Sequence, residues 1–516
     1  MVKMAENNNT ENTKRIAKNS LLLYLRMLIA MFVGFYTSRV ILQELGFKDF
    51  GMYNVVGGFV AFFQLINAGI SSATQRFINF ELGKRNYERL KLIFQSSLTM
   101  FLIFALVIVL IAETFGIWFV LNKLTIDADR LSAAVWVYQA SVMSLLVNIM
   151  FLPFVSMIVA HQRMDVYAFV SIGDVLLRLG LVLSLQWVDM DKVIFYAYGI
   201  LIITLLGACV NATFVIRTYR NEISLRLAYS KQIIMEMLSF AGWMMFGITS
   251  GMCKSQGVNV VLNMFFGTIV NAARGVAFQV ETAINNFVAN FQLSIRPQII
   301  QSYAEGNYDY VKKLVIVGAK FSFYLLFILS LPVICETDFI LRVWLGKAPN
   351  EAALFLQIIL LTAMLEALSG TLQMAVSASG KIRGYQVSVG LLNFLNLPLA
   401  YLLLKLGASA YSVFVLGAVI ALIALLLRYV FVQRIFHFGW SCFYIEVVLK
   451  CFLVAVISMS IPLLASKSMD EGWMRFILVT TLCIITSFGF IYLIGLNKSE
   501  RSYCLSLLKK KLCKAK

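Results

Sequence analysis

Nine ionisable side chains stand deep inside stretches that are otherwise apolar. Arg26, Arg39, Arg178, Lys254, Arg274 and Lys320 are basic; Asp174, Glu281 and Glu366 are acidic. A charge at the centre of a membrane span costs roughly 2.5–3.5 kcal/mol on insertion scales, so each should face a partner or a wet cavity. The basic excess suits a site that compensates an anionic group inside a bilayer. The three acids, Asp174, Glu281 and Glu366, are candidates for H+ or Na+ coupling, with no other cofactor called for. Asp174 and Arg178 lie four residues apart on one helix face and can instead neutralise each other. Arg39 and Lys320 lie near span ends, where long side chains snorkel to the interface. Glu366 sits in mid-span with no partner nearby in sequence.

Other chemistries find little to work with. Two histidines, His161 and His437, flank inner loops, and no cluster has metal-ligand spacing. A metal or acid–base enzyme is therefore not expected. The phosphate-cradling GxxxxGK[ST] pattern is missing, which removes ATP hydrolysis by that device. The eight cysteines are scattered without CxxC spacing and read as packing thiols.

The elements that must position these charges are helices in a membrane. Of 516 residues 60% are hydrophobic and only 14% charged, and the mean hydropathy is +0.83. Soluble domains carry about 25% charged residues. Fourteen apolar spans can be read, from 19–43 to 474–495. With the N-terminus placed inside, lysine and arginine concentrate in the inner connections, which fixes both termini in the cytoplasm. The net charge of +18 is thereby a feature of topology and does not call for a nucleic-acid partner. The expected order is a polar tail over 1–18, a first lobe over 19–217 and a basic linker over 218–232. A second lobe over 233–435, an accessory hairpin over 436–496 and a basic tail over 497–516 follow. The longest outer loop, 116–132, holds Lys123, Asp127, Asp129 and Arg130 and is too small for a folded domain.

A repeat ties the two lobes together. Gly46 recurs as Gly267, Asn86-Tyr87 as Asn307-Tyr308 and Lys91 as Lys312, all at an offset of 221. Six spans per copy is an even number, so the copies enter from the same side and are parallel. The offset makes Gln64 equivalent to Asn285 and Ser71 to Gln292, so matched amide stripes run down spans 2 and 8. Such stripes can be interhelical glue, but their symmetry favours a shared polar cavity. Lys254 maps onto Val33, which shares a helical stripe with Arg26. The two cations then differ in depth by seven residues, roughly 10 Å at 1.5 Å per residue. Span 8 adds Arg274 and Glu281.

The run LGFKDFGMY (45–53), then NAGISSATQRF (67–77), and in the second lobe NAARGVAFQVETAINNF and RPQIIQSYAEGN, resemble polysaccharide (Wzx-like) flippases of the multidrug/oligosaccharidyl-lipid/polysaccharide (MOP) exporter superfamily. The resemblance implies an all-α fold, two six-helix lobes in a MATE-like V plus a two-helix hairpin. It further implies alternating access and an undecaprenyl-diphosphate-linked oligosaccharide cargo turned from the inner to the outer leaflet of a bacterial inner membrane. Partners would be that lipid-linked oligosaccharide, the bilayer, and a polysaccharide polymerase with its chain-length proteins. Arg26, Lys254 and Arg274 best match the family's cavity cations, with Gln64, Asn285 and Gln292 as polar lining. The alternatives are a cation-coupled multidrug exporter of the MATE type, a lipid II flippase, or a membrane-embedded glycan polymerase. Drug-exporting relatives often carry an acid in span 1; none stands here between Lys18 and Glu44.

Overall fold

Two glycines set the main bends of the chain. In a computed structural model, Gly46 (φ 75°, ψ 168°) breaks a helical run over Val2–Ala61, and Gly267 (φ 74°, ψ −162°) breaks one over Lys231–Ala304. This region of backbone space is essentially closed to any residue with a Cβ, at about 1–3 kcal/mol. The same conformation thus recurs 221 residues on. So does the next turn: Arg85 (φ 55°) and Gly306 (φ 77°) are both left-handed. Immediately after each, Asn86 and Asn307 cap a helix by accepting from the backbone N–H of Arg89 and Tyr310. Gly267→Ala is expected to lower stability by about 1–3 kcal/mol, read as a drop in the thermal midpoint of the solubilised protein.

The structure describes residues 2–502 apart from 62–63, 123–127, 228, 346–350, 438, 440–442 and 499. Lys123 and Asp127 of the outer loop, the tail beyond 502 and the side chain of Gln64 lie outside the described residues. Every described element is helical. The helices are α1 (Val2–Ala61), α2 (Gln64–Lys84), α3 (Tyr87–Ile111), α4 (Ile117–Asn122), α5 (Leu131–Met150), α6 (Leu152–Ala160), α7 (Met164–Ser184) and α8 (Lys192–Thr218). They continue as α9 (Lys231–Ala304), α10 (Tyr308–Cys335), α11 (Thr337–Leu345), α12 (Ala352–Ser379), α13 (Arg383–Lys405), α14 (Tyr411–Phe436), α15 (Lys450–Ser468) and α16 (Trp473–Phe490). Among the described residues, 12 helices are long and apolar enough to cross a membrane. The expected span 269–294 is missing from that set: it is helical, but its amides and charges lower its hydropathy, as expected of a helix that faces water or ligand on one side. Residues 62–63 of the expected span 50–74 lie outside the described residues.

The chain packs as two units. The first comprises Met1–Thr249 with Ile300–Gly306, and includes the linker 218–232; the second comprises Ser250–Ile299 with Asn307–Lys516. In the first, α1 packs on α7 and α5 on α8. The last turn of α9 belongs here because Gly83 lets its backbone approach: a Cβ on Gly83 would sit 2.5 Å from the carbonyl oxygen of Gln301. The Gln301 Nε2 donates to Asn79 Oδ1 (3.1 Å) and to the Ala160 carbonyl (2.7 Å), and Gln162 Nε2 donates to Gln301 Oε1 (3.1 Å). In the loop before α5, Arg130 is tied to Asp49 and to Asp191, the latter at 2.7 Å.

In the second unit α12 packs against both α10 and α14, while α15 and α16 pack on each other and on α10. Here the expectation for Lys320 fails. Its side chain does not snorkel: it is wholly buried, and Nζ donates at 2.8 Å to both carboxylate oxygens of Glu500. Just past the C-terminal end of α10, Glu336 is fully buried and accepts at 2.8 Å from Arg475 of α16. The C-terminal segment is therefore tied by ion pairs to the middle of α10 and to the residue that follows it.

Candidate functional site

The bend at Gly267 turns α9 back on itself, so residues on either side of it meet. Arg274, two turns after the bend, donates from Nη2 to the Ser255 carbonyl at 2.7 Å and to Ser255 Oγ at 3.4 Å. Its guanidinium carbon lies 4.2 Å from the centre of the Phe278 ring, one turn further along α9. Ser255 directly follows Lys254, so the bend brings Arg274 to the turn of helix that bears Lys254. Lys254 Nζ in turn donates to Glu366 Oε1 of α12 at 3.0 Å. Glu281 lies two turns beyond Arg274 on α9, where its Oε2 accepts from Thr282 at 3.4 Å.

The cations differ in how they are compensated. Lys254 is paired with Glu366, Arg178 with Asp174 at 2.8 Å and Lys320 with Glu500. Arg274 is only 6% exposed. Among the described residues it has no carboxylate at ion-pair distance, and its Nε is buried without a hydrogen-bond partner. One turn earlier, Asn271 Oδ1 is buried in the same condition. An uncompensated buried charge is costly to hold, and the Arg274 guanidinium, with its free Nε–H, is suited to donate to an anion, whereas the Asn271 oxygen needs a donor.

The first unit holds a separate polar strip. Arg26 on α1 donates from Nη1 to Ser171 Oγ (3.3 Å) and Tyr167 Oη (3.4 Å), with its guanidinium 5.2 Å from the Tyr167 ring centre. Asp174 and Arg178 continue the same face of α7 and close on each other, as their spacing predicts. Tyr167 and Ser171 are missing from the residues picked out in the sequence. The spacing 167, 171, 174, 178 was the available signal, since it marks a single helix face.

The amide stripes divide. Gln292 donates to Ser322 Oγ (3.2 Å) and the Ala367 carbonyl (3.5 Å), and presses against Gly370, where a Cβ would come within 2.3 Å of its amide. It is held between helices. Asn285 is exposed, and Gln75 Nε2 donates to Ser71 Oγ at 3.2 Å. Among the described residues no group of His, Cys, Asp and Glu could hold a metal ion.

No protein-family model matches the sequence, and no curated protein matches it. Solved structures do. A multidrug resistance MATE family transporter of the MOP superfamily, in an outward-facing conformation, superposes with a TM-score of 0.72 at 12% identity, over 83% of this chain and 96% of that one. A MOP superfamily transporter from Pyrococcus furiosus, whose reverse polarity of binding pocket is said to suggest a different function, gives 0.68 at 12% identity over 82% and 96%. A MATE protein in complex with MaD3S gives 0.68 at 13% identity over 82% and 96%. The likeness is one of fold: the chain has the helical architecture of the MATE transporters of the MOP superfamily.

Proposed function

We propose that the protein is a flippase for a lipid-linked oligosaccharide whose diphosphate is received at Lys254 and Arg274, exposed by turns to the two faces of a bacterial inner membrane. The observation that carries this reading is Arg274, a buried guanidinium without a carboxylate partner among the described residues, beside the turn that bears Lys254. A guanidinium presents paired N–H donors that match phosphate oxygens, and one ammonium nearby adds a second point of attachment. In the first unit, Arg26 with Tyr167 and Ser171 offers donors of the kind that hold sugar hydroxyls. The apolar tail stays in lipid. Asp174 is committed to Arg178 and Glu366 to Lys254, which leaves Glu281 as the better candidate for coupling to H+ or Na+.

The sequence resemblance to polysaccharide flippases supports this substrate class, and so does the lack of an acid in the span-1 stretch between Lys18 and Glu44. The described Pyrococcus relative is a precedent, within this fold, for a pocket of altered polarity. Lys254→Ala is expected to abolish surface polysaccharide in a host that depends on this chain, with the protein still present in the membrane at normal level. Full surface polysaccharide in Lys254→Ala, or export of cationic drugs by the wild type with no glycan defect on its deletion, would replace this reading with that of a multidrug exporter.

A further inference from the structure

The cation that faces the cargo in this reading already has an anion on it. Lys254 Nζ and Glu366 Oε1 are 3.0 Å apart, and the pair is lopsided: the lysine side chain is 17% exposed and the glutamate 51%. The ammonium is thus the anchored member and the carboxylate the one open to exchange. Glu366 reaches it from α12, a different helix, so the contact is made by tertiary packing and can be lost without unwinding α9. Arg274 is fixed to Ser255 beside it and has no such carboxylate among the described residues. One of two neighbouring cations is therefore paired with an internal anion while the other, buried, has no carboxylate among the described residues.

We propose that Glu366 is an internal stand-in for the cargo: it neutralises Lys254 when the site is empty and is displaced when a diphosphate arrives. This rests on the reading of the Lys254–Arg274 pair as the headgroup site. A diphosphate carries more charge than a carboxylate and enough oxygens to engage Lys254 and Arg274 together, whereas Glu366 satisfies one. A monoanion with few oxygens gains less from the exchange and is rejected. Glu366 thereby sets a threshold of anionic charge for entry and acts as a specificity-determining residue. It also leaves the empty site with a smaller excess of positive charge, which lowers the electrostatic cost of returning it across the membrane without cargo.

The test uses the purified full-length protein in lipid nanodiscs, with inorganic pyrophosphate and inorganic phosphate as probes in calorimetric titrations. Glu366→Gln is expected to bind pyrophosphate at least ten-fold more tightly than wild type, and to narrow the preference for pyrophosphate over phosphate. Glu366→Asp, which keeps the charge but shortens the reach, should shift both quantities in the same direction by less. Adding Lys254→Ala to Glu366→Gln should remove the gain, since the released ammonium is its source. Should wild type and Glu366→Gln bind pyrophosphate equally, with Arg274→Ala binding none, the stand-in role is overturned and the headgroup site survives. Should none of the proteins bind pyrophosphate, the headgroup site itself falls and the stand-in role with it.

Discussion

Glu500→Ala is expected to destabilise the protein by about 3–5 kcal/mol, the usual cost of stripping a buried charge of its partner. Lys320 is 0% exposed and both Glu500 oxygens lie 2.8 Å from its ammonium. Without the carboxylate the wholly buried ammonium loses both of its 2.8 Å acceptors. Pairing the change with Lys320→Met should recover most of the loss, because a buried pair replaced by apolar groups of similar volume is often neutral or better. The thermal midpoint of the solubilised protein reads both variants, and the non-additivity between them isolates the pair. The same logic holds just past the C-terminal end of α10, where Arg475 compensates the fully buried Glu336. Ending the chain after Phe436 removes both partners at once and should leave no folded second unit. A truncated protein with the wild-type midpoint would show the C-terminal helices to be dispensable to the fold.

Arg274→Met is expected to do the opposite: stability holds or rises while transport is lost. The guanidinium is buried beside Phe278 with one backbone carbonyl and one hydroxyl to receive its protons. A methionine of similar reach keeps the contact with the ring and removes the uncompensated charge, and with it the cost of holding that charge out of water. Headgroup binding loses a charge-assisted hydrogen bond of about 1.5–3 kcal/mol, or roughly ten- to hundred-fold in affinity. Arg274→Lys should not rescue it, because an ammonium cannot hold Ser255 and present a planar fork to phosphate together. A drop in thermal midpoint that parallels the loss of transport would make Arg274 a packing residue, and the proposed site would lose its centre.

How much of this was legible beforehand depends on the distance along the chain over which each feature is determined. The recurrence of Gly46 as Gly267 and of Asn86 as Asn307 was readable as a repeat, and the structure gives it a local cause: a backbone region closed to Cβ and an unsatisfied helix N–H each select their residue. The Asp174–Arg178 pair was readable for the same reason, since four residues bring two side chains to one face. The polarity of the helix after Gly267 was visible as a stripe. What escaped were the partners set by tertiary packing. Glu366 is 112 residues from Lys254, and Glu500 is 180 from Lys320. No spacing rule reaches that far, so Lys320 read as a snorkelling residue and Glu366 as an acid with nothing near it. Gln292 shows that a polar stripe also serves helix contacts: its amide donates to Ser322 of α10 and to the Ala367 carbonyl of α12, partners that no spacing rule names.

The central claim, that the cations beside the bend in α9 serve an anionic lipid headgroup, is tested most directly by reconstitution. Purified protein in liposomes would be loaded with a short-chain polyprenyl-diphosphate saccharide, and the appearance of the sugar on the opposite leaflet followed by lectin capture. Wild-type protein is expected to move the saccharide, Arg274→Met is expected not to, and neither should move a fluorescent organic cation. Cation transport by wild type without saccharide flipping, or equal flipping by Arg274→Met, would contradict the account.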